Sequence, residues 1–289
     1  MKRAWLLALL LAAAPSWLLA NVAFAAAVPE TPVVLRYGFK QGAPLKYRTE
    51  VTQHLVVKNT KGALGNLDVT STYALDLVQK VTAIAPGHEY DLSVSPENVQ
   101  IKLDGPMSKS ATQIAEMLRK VAYVMKVDWR GQVKSLQESE GTPDAAKKMV
   151  ASLKTALGQL MPMLPEGPQL PGGRWRQEMA LPVDLPTGDK LQSKLTVDYV
   201  LRGWAVVDGR TCADVRMRLH LGLAGAMGQG PARVSVIGEG GGQGYAYIDL
   251  REGTLVGTGV KLVTHSVFKS DTIDVQQSSD LSMRTTLRK

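Results

Sequence analysis

The sequence predicts a mainly β protein with minor α, a single domain whose antiparallel sheet is assembled from two similar halves. Three observations predict it. Apolar and polar residues alternate with a period of two through most of the chain, the pattern of strands with one buried and one wet face. Helical spacing interrupts that pattern in only two places. Two hairpin signatures recur at a common offset of about 120 residues, as an internal repeat would produce.

Residues 1–25 precede the sheet and read as a cleavable secretory signal peptide. Lys2 and Arg3 form a basic n-region, Ala4 to Ala20 supply an apolar run, and Ala23-Phe24-Ala25 offers small residues to a signal peptidase. Cleavage is expected before Ala26. A retained anchor fits less well, because Pro15 and Asn21 break the run and no basic stop-transfer cluster follows. No Cys follows the apolar stretch, so lipid anchoring is not indicated. A periplasmic or extracellular location, not a cytoplasmic one, is therefore expected.

Strand signals begin after the Pro29 and Pro32 leader. Leu45, Tyr47, Thr49, Val51, Gln53, Leu55 and Val57 alternate with Lys46, Arg48, Glu50, Thr52, His54, Val56 and Lys58. Successive strand residues point to opposite faces, so one face is mainly apolar and the other mainly wet. The split recurs at Ala213 to Leu221, and again from Ile273 to Leu287. Such strands belong to antiparallel sheets with one solvated face. A short helix is expected from about Ser110 to Arg119, with Ile114, Met117 and Leu118 on one side.

A longer helix is expected from Thr142, which caps it ahead of Pro143. Ala146, Met149, Val150, Leu153, Leu157, Leu160 and Met161 follow at three- and four-residue steps until Pro162 and Pro165 stop the pattern. Leu164 to Gly173 then reads as a Pro/Gly-rich hinge. This divides residues 26–289 into pseudo-repeats of about 33–141 and 172–289, joined by the helix and hinge of 142–171. The halves match in two places. Thr72 to Val94 resembles Lys194 to Met217, each a strand, a short turn and a strand. Val127 to Val133 resembles Ile248 to Leu255, each an Asp followed by a glycine turn.

Composition narrows the function. Cys212 is the only cysteine, so an exported chain of this size has no internal disulfide and relies on packing. Its setting at the start of an alternating run suits a small buried hydrophobe. The formal charge is +8, and removing Lys2 and Arg3 leaves 8 − 2 = +6. No long Lys/Arg run occurs and aromatics are sparse, which argues against nucleic acid as a partner. A mild positive charge favours peripheral contact with anionic membrane surfaces. Nothing in the pattern sets an oligomeric state.

Four short motifs carry a resemblance: Leu35-Arg36-Tyr37…Gly42…Tyr47; Leu164-Pro165…Leu170-Pro171-Gly172-Gly173-Arg174-Trp175; Tyr199…Gly209…Cys212-Ala213; and Gly244-Tyr245…Asp249…Gly253-Thr254-Leu255. On these the chain resembles a family of exported bacterial proteins and lipoproteins known as a domain of unknown function. The layout is also similar to the half-barrel of periplasmic lipoprotein and lipid carriers. That similarity implies a strongly curved sheet, a half-barrel or open barrel, with helices across its concave side. It implies a hypothesis about function and transfers no residues.

Catalytic and metal-binding patterns are missing from the sequence. His54, His88, His220 and His265 lie far apart, without the spacing of zinc sites. No Gly-x-Ser-x-Gly elbow is present, and Cys212 has no adjacent base. The cluster Gly238 to Gly244 lacks the Lys-Ser/Thr ending and the following helix of a phosphate loop, so a flexible turn or bulge is expected there. Glu138, Glu140 and Asp144 suit a polar loop entering a helix rather than acid/base work. Met161 and Met163 lack the His or Cys companion of a copper site. No cofactor or metal is expected.

What remains is apolar: Leu153, Leu157, Leu160, Met161 and Met163, on or just beyond the central helix. Met is adaptable enough to line an acyl-chain site, and the same stripe also suits plain core. The leading expectation is a non-enzymatic envelope protein binding an apolar or lipid-like ligand, or an envelope protein's apolar segment, under that helix. The alternative is a structural or interaction module of the envelope whose hollow is filled. An outer-membrane barrel is disfavoured, because Lys, Arg and Asp on the polar strand faces would each cost about 2–4 kcal/mol at mid-membrane. A hydrolase stays as a minor alternative, since fold does not exclude function.

Overall fold

Eight of the strands are 15 to 19 residues long, about three times the usual strand. The computed structural model describes residues 31–42, 44–61, 66–139, 161–180, 183–184, 190–227 and 233–288. In chain order the elements are β1 (Leu45–Lys61), β2 (Leu67–Ala85), β3 (Glu89–Leu103), α1 (Ala111–Arg119), β4 (Tyr123–Asp128), β5 (Val133–Glu138), β6 (Arg174–Ala180), β7 (Val183–Asp184), β8 (Lys190–Val207), β9 (Arg210–Met227), β10 (Val234–Asp249), β11 (Leu255–Lys269) and β12 (Asp274–Arg288). The expected short helix is α1, preceded by a 3-10 turn over Gly105–Ser110. The expected signal peptide and the central helix from Thr142 lie outside the described residues.

All pairings are antiparallel, in the order β5-β4-β3-β2-β1-β12-β11-β10-β9-β8-β6, with β7 beside β8. The first and last long strands meet in the middle, so β5 and β6 are the two edges of an open sheet. Register follows the alternation read from the sequence. Tyr47 lies between Leu77 and Leu287, and Val51 between Tyr73 and Met283. Continuing this register across the sheet puts Val99, Val215, Leu219, Tyr199 and Ala246 on the same side. That side is the apolar, concave face.

The glycine cluster corrects an expectation. Gly238 to Gly244 form the interior of β10 and not a turn or bulge. Gly238, Gly240, Gly242 and Gly244 alternate onto the concave face, where β11 leans over them. A Cβ on Gly242 would stand 2.3 Å from the Lys261 carbonyl oxygen, and one on Gly244 2.6 Å from that of Gly259. Glycine removes the side chains from this inner face, which lets the paired backbone come close and leaves the sheet free to curl here.

Both expected hairpin pairs form. β2–β3 and β8–β9 each carry a register shift shortly before the turn, at Val81/Ala83 and Leu201/Gly203. β4–β5 and β10–β11 carry one at Lys126/Val127 and Tyr247/Ile248. In the latter two turns an Asp organises the backbone. Asp128 Oδ1 accepts the N–H groups of Arg130 and Gln132 (2.9 Å each), and Asp249 Oδ1 those of Arg251 and Glu252 (2.8 and 3.1 Å). These carboxylates satisfy turn amides, the usual task of Asp in such loops.

Candidate functional site: the concave face

Two chain segments plug one end of the hollow. Leu35, Tyr37 and Phe39 alternate inward and are buried. Their backbone runs between the two Asp turns, the Tyr37 N–H donating to the Trp129 carbonyl (2.7 Å) and the Gly38 N–H to that of Gly253 (3.1 Å). The approach is close on both sides. A Cβ on Gly131 would lie 2.5 Å from the Tyr37 ring, and one on Gly253 2.4 Å from the Gly38 nitrogen; both glycines also have positive φ. Phe39 stacks on Tyr37 and meets Tyr90 edge-on, with centroids 5.8 and 5.0 Å apart.

The second segment follows Met161 and links the two edges of the sheet. On the β5 side the Leu164 N–H donates to the Arg130 carbonyl (2.8 Å), and Arg130 Nε returns a bond to the Leu164 carbonyl (2.8 Å). On the β6 side Trp175 Nε1 donates to the Met163 carbonyl (2.7 Å), and Trp175 stacks on Tyr199 at 5.3 Å. Tyr37 Oη ties the two segments together by donating to the Pro162 carbonyl (2.9 Å). Further along, Gln169 and Val33 exchange both backbone bonds at 2.9 Å. The stretch read as a hinge thus runs as a strap, with Leu164 fully buried.

The interior of this end is closely packed, and an open depression of about 520 Å³ adjoins it among Arg36, Lys40, His88, Trp129, Arg251 and Glu252. A cavity of about 60 Å³ remains, lined by Phe39, Tyr47, Gln79, Tyr123, Met125 and Met161 among others. It has room for a few waters and is too small for a long acyl chain. Gln79 Nε2 has no acceptor among the described residues. Burial pushes the phenols of Tyr37, Tyr47 and Tyr123 well above their usual range, and that of Tyr199 up to about 12. They are structural side chains, held neutral.

The other end differs. A strand of 18 residues such as β9 reaches roughly 60 Å, well past the plug. There Val51, Leu55, Tyr73, Leu75, Leu281 and Met283 line the concave face, none of them fully buried and none in the core cluster. The described element on that side is α1, packed against β3, where Val99 and Leu103 are buried. Small hydroxyls break the apolar strip, with Thr49 and Thr285 bonded to each other at 3.0 Å and Gln53 donating to Ser279 at 3.1 Å.

Of the residues singled out in the sequence, Leu153, Leu157 and Leu160 lie outside the described residues. Met161 and Met163 are half-buried and pack against the core at the plugged end. The strip from Val51 to Met283 was visible as alternation but not as a surface, because only the strand register gathers it on one face. Cys212 is fully buried, and that burial pushes its thiol up to about 11. Among the described residues no group of three His, Cys, Asp or Glu is placed to hold a metal ion, and no helix is long and apolar enough to cross a membrane.

No protein-family model matches the chain, and no curated protein matches it. Among solved structures it is similar to lipovitellin, in a structure of its lipid–protein interactions (11% identity, 87% of this chain and 25% of that one, TM-score 0.45). It is also similar to the hypothetical lipoprotein YmcC from Escherichia coli (10% identity, 78% and 85% coverage, TM-score 0.24). A third is the CymD monoaromatic hydrocarbon channel (8% identity, 86% and 89% coverage, TM-score 0.27). The chain spans a quarter of the lipovitellin chain. All three TM-scores fall below 0.5, so the reading of the concave face rests on its own geometry.

Proposed function

We propose that this is a non-enzymatic protein of the cell envelope that holds an apolar ligand, an acyl chain or a partner's apolar segment, on the open end of its concave face. One observation carries the reading. Val51, Leu55, Tyr73, Leu75, Leu281 and Met283 form an apolar strip, interrupted by Thr49, Gln53, Ser279 and Thr285, that neither joins the core nor reaches full burial. Leaving such area wet forgoes about 25 cal/mol for every Å², so a strip of this kind invites a cover. The envelope placement is supported by the secretory signature of residues 1–25. The plug favours a second reading, a structural module in which the hollow is filled along its whole length.

Native mass spectrometry and thermal melts separate the two. A ligand holder carries co-purified lipid, and its melting temperature rises with a fatty-acid or phospholipid mixture, by about 2.7 kcal/mol of added stability at a hundred times Kd. Leu281→Asp should then abolish that rise while the protein still folds, since Leu281 is only partly buried and a carboxylate there reaches water. A wild-type protein indifferent to every lipid, with a Leu281→Asp variant that fails to fold, retires the ligand reading in favour of the filled module.

A further inference from the structure

The convex face of the second half carries a different chemistry. Strand register aligns Arg176, Asp198, Arg218, Gln243 and Lys261 in one row, and Arg174, Val200, Arg216, Tyr245, Gly259 and Arg284 in the next. Six cations therefore share two adjacent rows. Asp198 lies within them, Glu50 at their β1 end beside Arg284 and Asp214 beside Arg216, leaving 6 − 3 = 3 excess positive charges. Arg176 is paired with Asp198 at 2.6 Å, and Arg216 with Asp214 at 2.8 Å. Arg216 also sits over the Tyr245 ring at 5.8 Å, within cation–π reach. Arg174, Arg218, Lys261 and Arg284 make no ion pair among the described residues, and all four are exposed.

In the first half several cations are paired, although Lys80 and Lys102 are exposed and make no ion pair among the described residues. There Lys46 pairs with Glu97 at 2.9 Å, Arg48 with Asp76 at 3.1 Å and Lys126 with Asp91 at 3.9 Å. A depression of about 700 Å³ lies among Arg174, Arg176, Arg216 and Arg218, large enough for a phosphate-bearing group. Further along the same face, Ile237 and Val267 pair across β10 and β11 at 70% and 41% exposure, with Val263 at 44% nearby. Cations crossing roughly 25 Å of sheet, flanked by exposed aliphatic side chains, match a surface that offers negative headgroups above an apolar layer.

We propose that this convex face docks on an anionic phospholipid surface, with the arginine-rich rows over the headgroups and Ile237, Val263 and Val267 entering the interface. The contact lies on the opposite face from the apolar strip, so it goes beyond the ligand reading and stands or falls separately from it.

Vesicle co-sedimentation tests it, using phosphatidylcholine alone and phosphatidylcholine mixed with phosphatidylglycerol. The protein should bind the anionic vesicles at least about tenfold more tightly. Binding should collapse between about 0.1 M and about 1 M salt, as the screening length falls from about 10 Å to about 3 Å. Arg174→Gln with Arg218→Gln should lose about thirtyfold, from two headgroup contacts, with an unchanged circular dichroism spectrum. Lys80→Gln with Lys102→Gln removes the same charge from the first half and should change binding less than about threefold by the same reckoning. Three results would overturn the proposal: equal binding to both vesicles, an equal loss in the Lys80/Lys102 variant, or release of the protein by inorganic phosphate at matched ionic strength. The last would assign the arginines to a discrete anion. Lipid-dependent melting of the Arg174/Arg218 variant should persist, which keeps this test apart from that of the concave face.

Discussion

Gly242→Ala should destabilise the protein, while Gly241→Ala one residue away should not. The new Cβ on Gly242 would stand 2.3 Å from the Lys261 carbonyl oxygen and 3.1 Å from Leu262 Cα. Both are backbone atoms of the paired strand, so no rotamer change relieves the overlap. β11 must shift outward by about 1 Å, the kind of overpacking that costs about 1–3 kcal/mol. Against this, replacing glycine in extended backbone gains about 0.4–1 kcal/mol by restricting the unfolded chain. The net expectation is a loss of about 1–2 kcal/mol.

Gly241 faces the convex side, where the nearest atom to a new Cβ is 4.0 Å away, so only the gain applies. Urea unfolding followed by far-UV circular dichroism and tryptophan fluorescence reads both variants as midpoint shifts of opposite sign. A Gly242→Ala midpoint equal to or above that of Gly241→Ala would refute the idea that glycines on the inside of β10 set the curl of the sheet.

Three further outcomes follow from the plugged end and the buried thiol. Tyr37→Phe should cost about 1–2 kcal/mol in urea unfolding, because the Pro162 carbonyl loses its buried donor; an unchanged midpoint would mean that this bond does not hold the segments together. Cys212 should resist a thiol reagent in the folded protein and react fully in denaturant, since it is fully buried; fast labelling of native protein would contradict that burial. Alkaline pH should weaken the fold in a defined window. An unfolded thiol titrates near pH 8.5 and the native one at about 11, so the neutral thiol's contribution is complete below about pH 8.5. It is lost as pH rises to about 11, and a Cys212→Ala variant should show a shallower decline over that window.

Much of the sheet was legible because alternation reports which residues share a face without any knowledge of partners. Tyr47, Thr49 and Ala213 to Leu219 fall where the period-two reading puts them, with Tyr47, Thr49, Ala213, Val215, Met217 and Leu219 buried. α1 was legible from Ile114, Met117 and Leu118. The glycines of β10 were misread because their cause is not local. Glycine is favoured there by the Lys261 and Gly259 carbonyls, and no window of sequence shows how near a paired strand comes. The plug was hidden for a related reason. In the sequence Leu35 and Tyr37 stand out only as part of a motif within the first pseudo-repeat, and contacts with Trp129 and Gly253, far along the chain, place their segment in the core. The cationic rows were invisible as a cluster, because Arg174, Arg218, Lys261 and Arg284 meet only through strand register.

Both proposed surfaces depend on that register. A strand has a side-chain period of two, so a slip of one residue would carry every apolar residue to the convex face and every cation to the concave one. Long strands guard against this. Along β1, register with β12 holds from Lys46 to Asn59 before the first irregularity, and each in-register step makes a slip more costly. All four hairpins carry a shift near the turn, and β2–β3 carries a second in mid-ladder, at Asp76/Leu77. An inserted residue near Leu55 should therefore damage both surfaces at once. One near the Pro86-Gly87 turn falls where the chain already absorbs a shift at Val81/Ala83, and should leave lipid-dependent melting and vesicle binding largely unchanged. Equal damage from the two insertions would mean that something other than strand register holds the two chemistries on opposite faces.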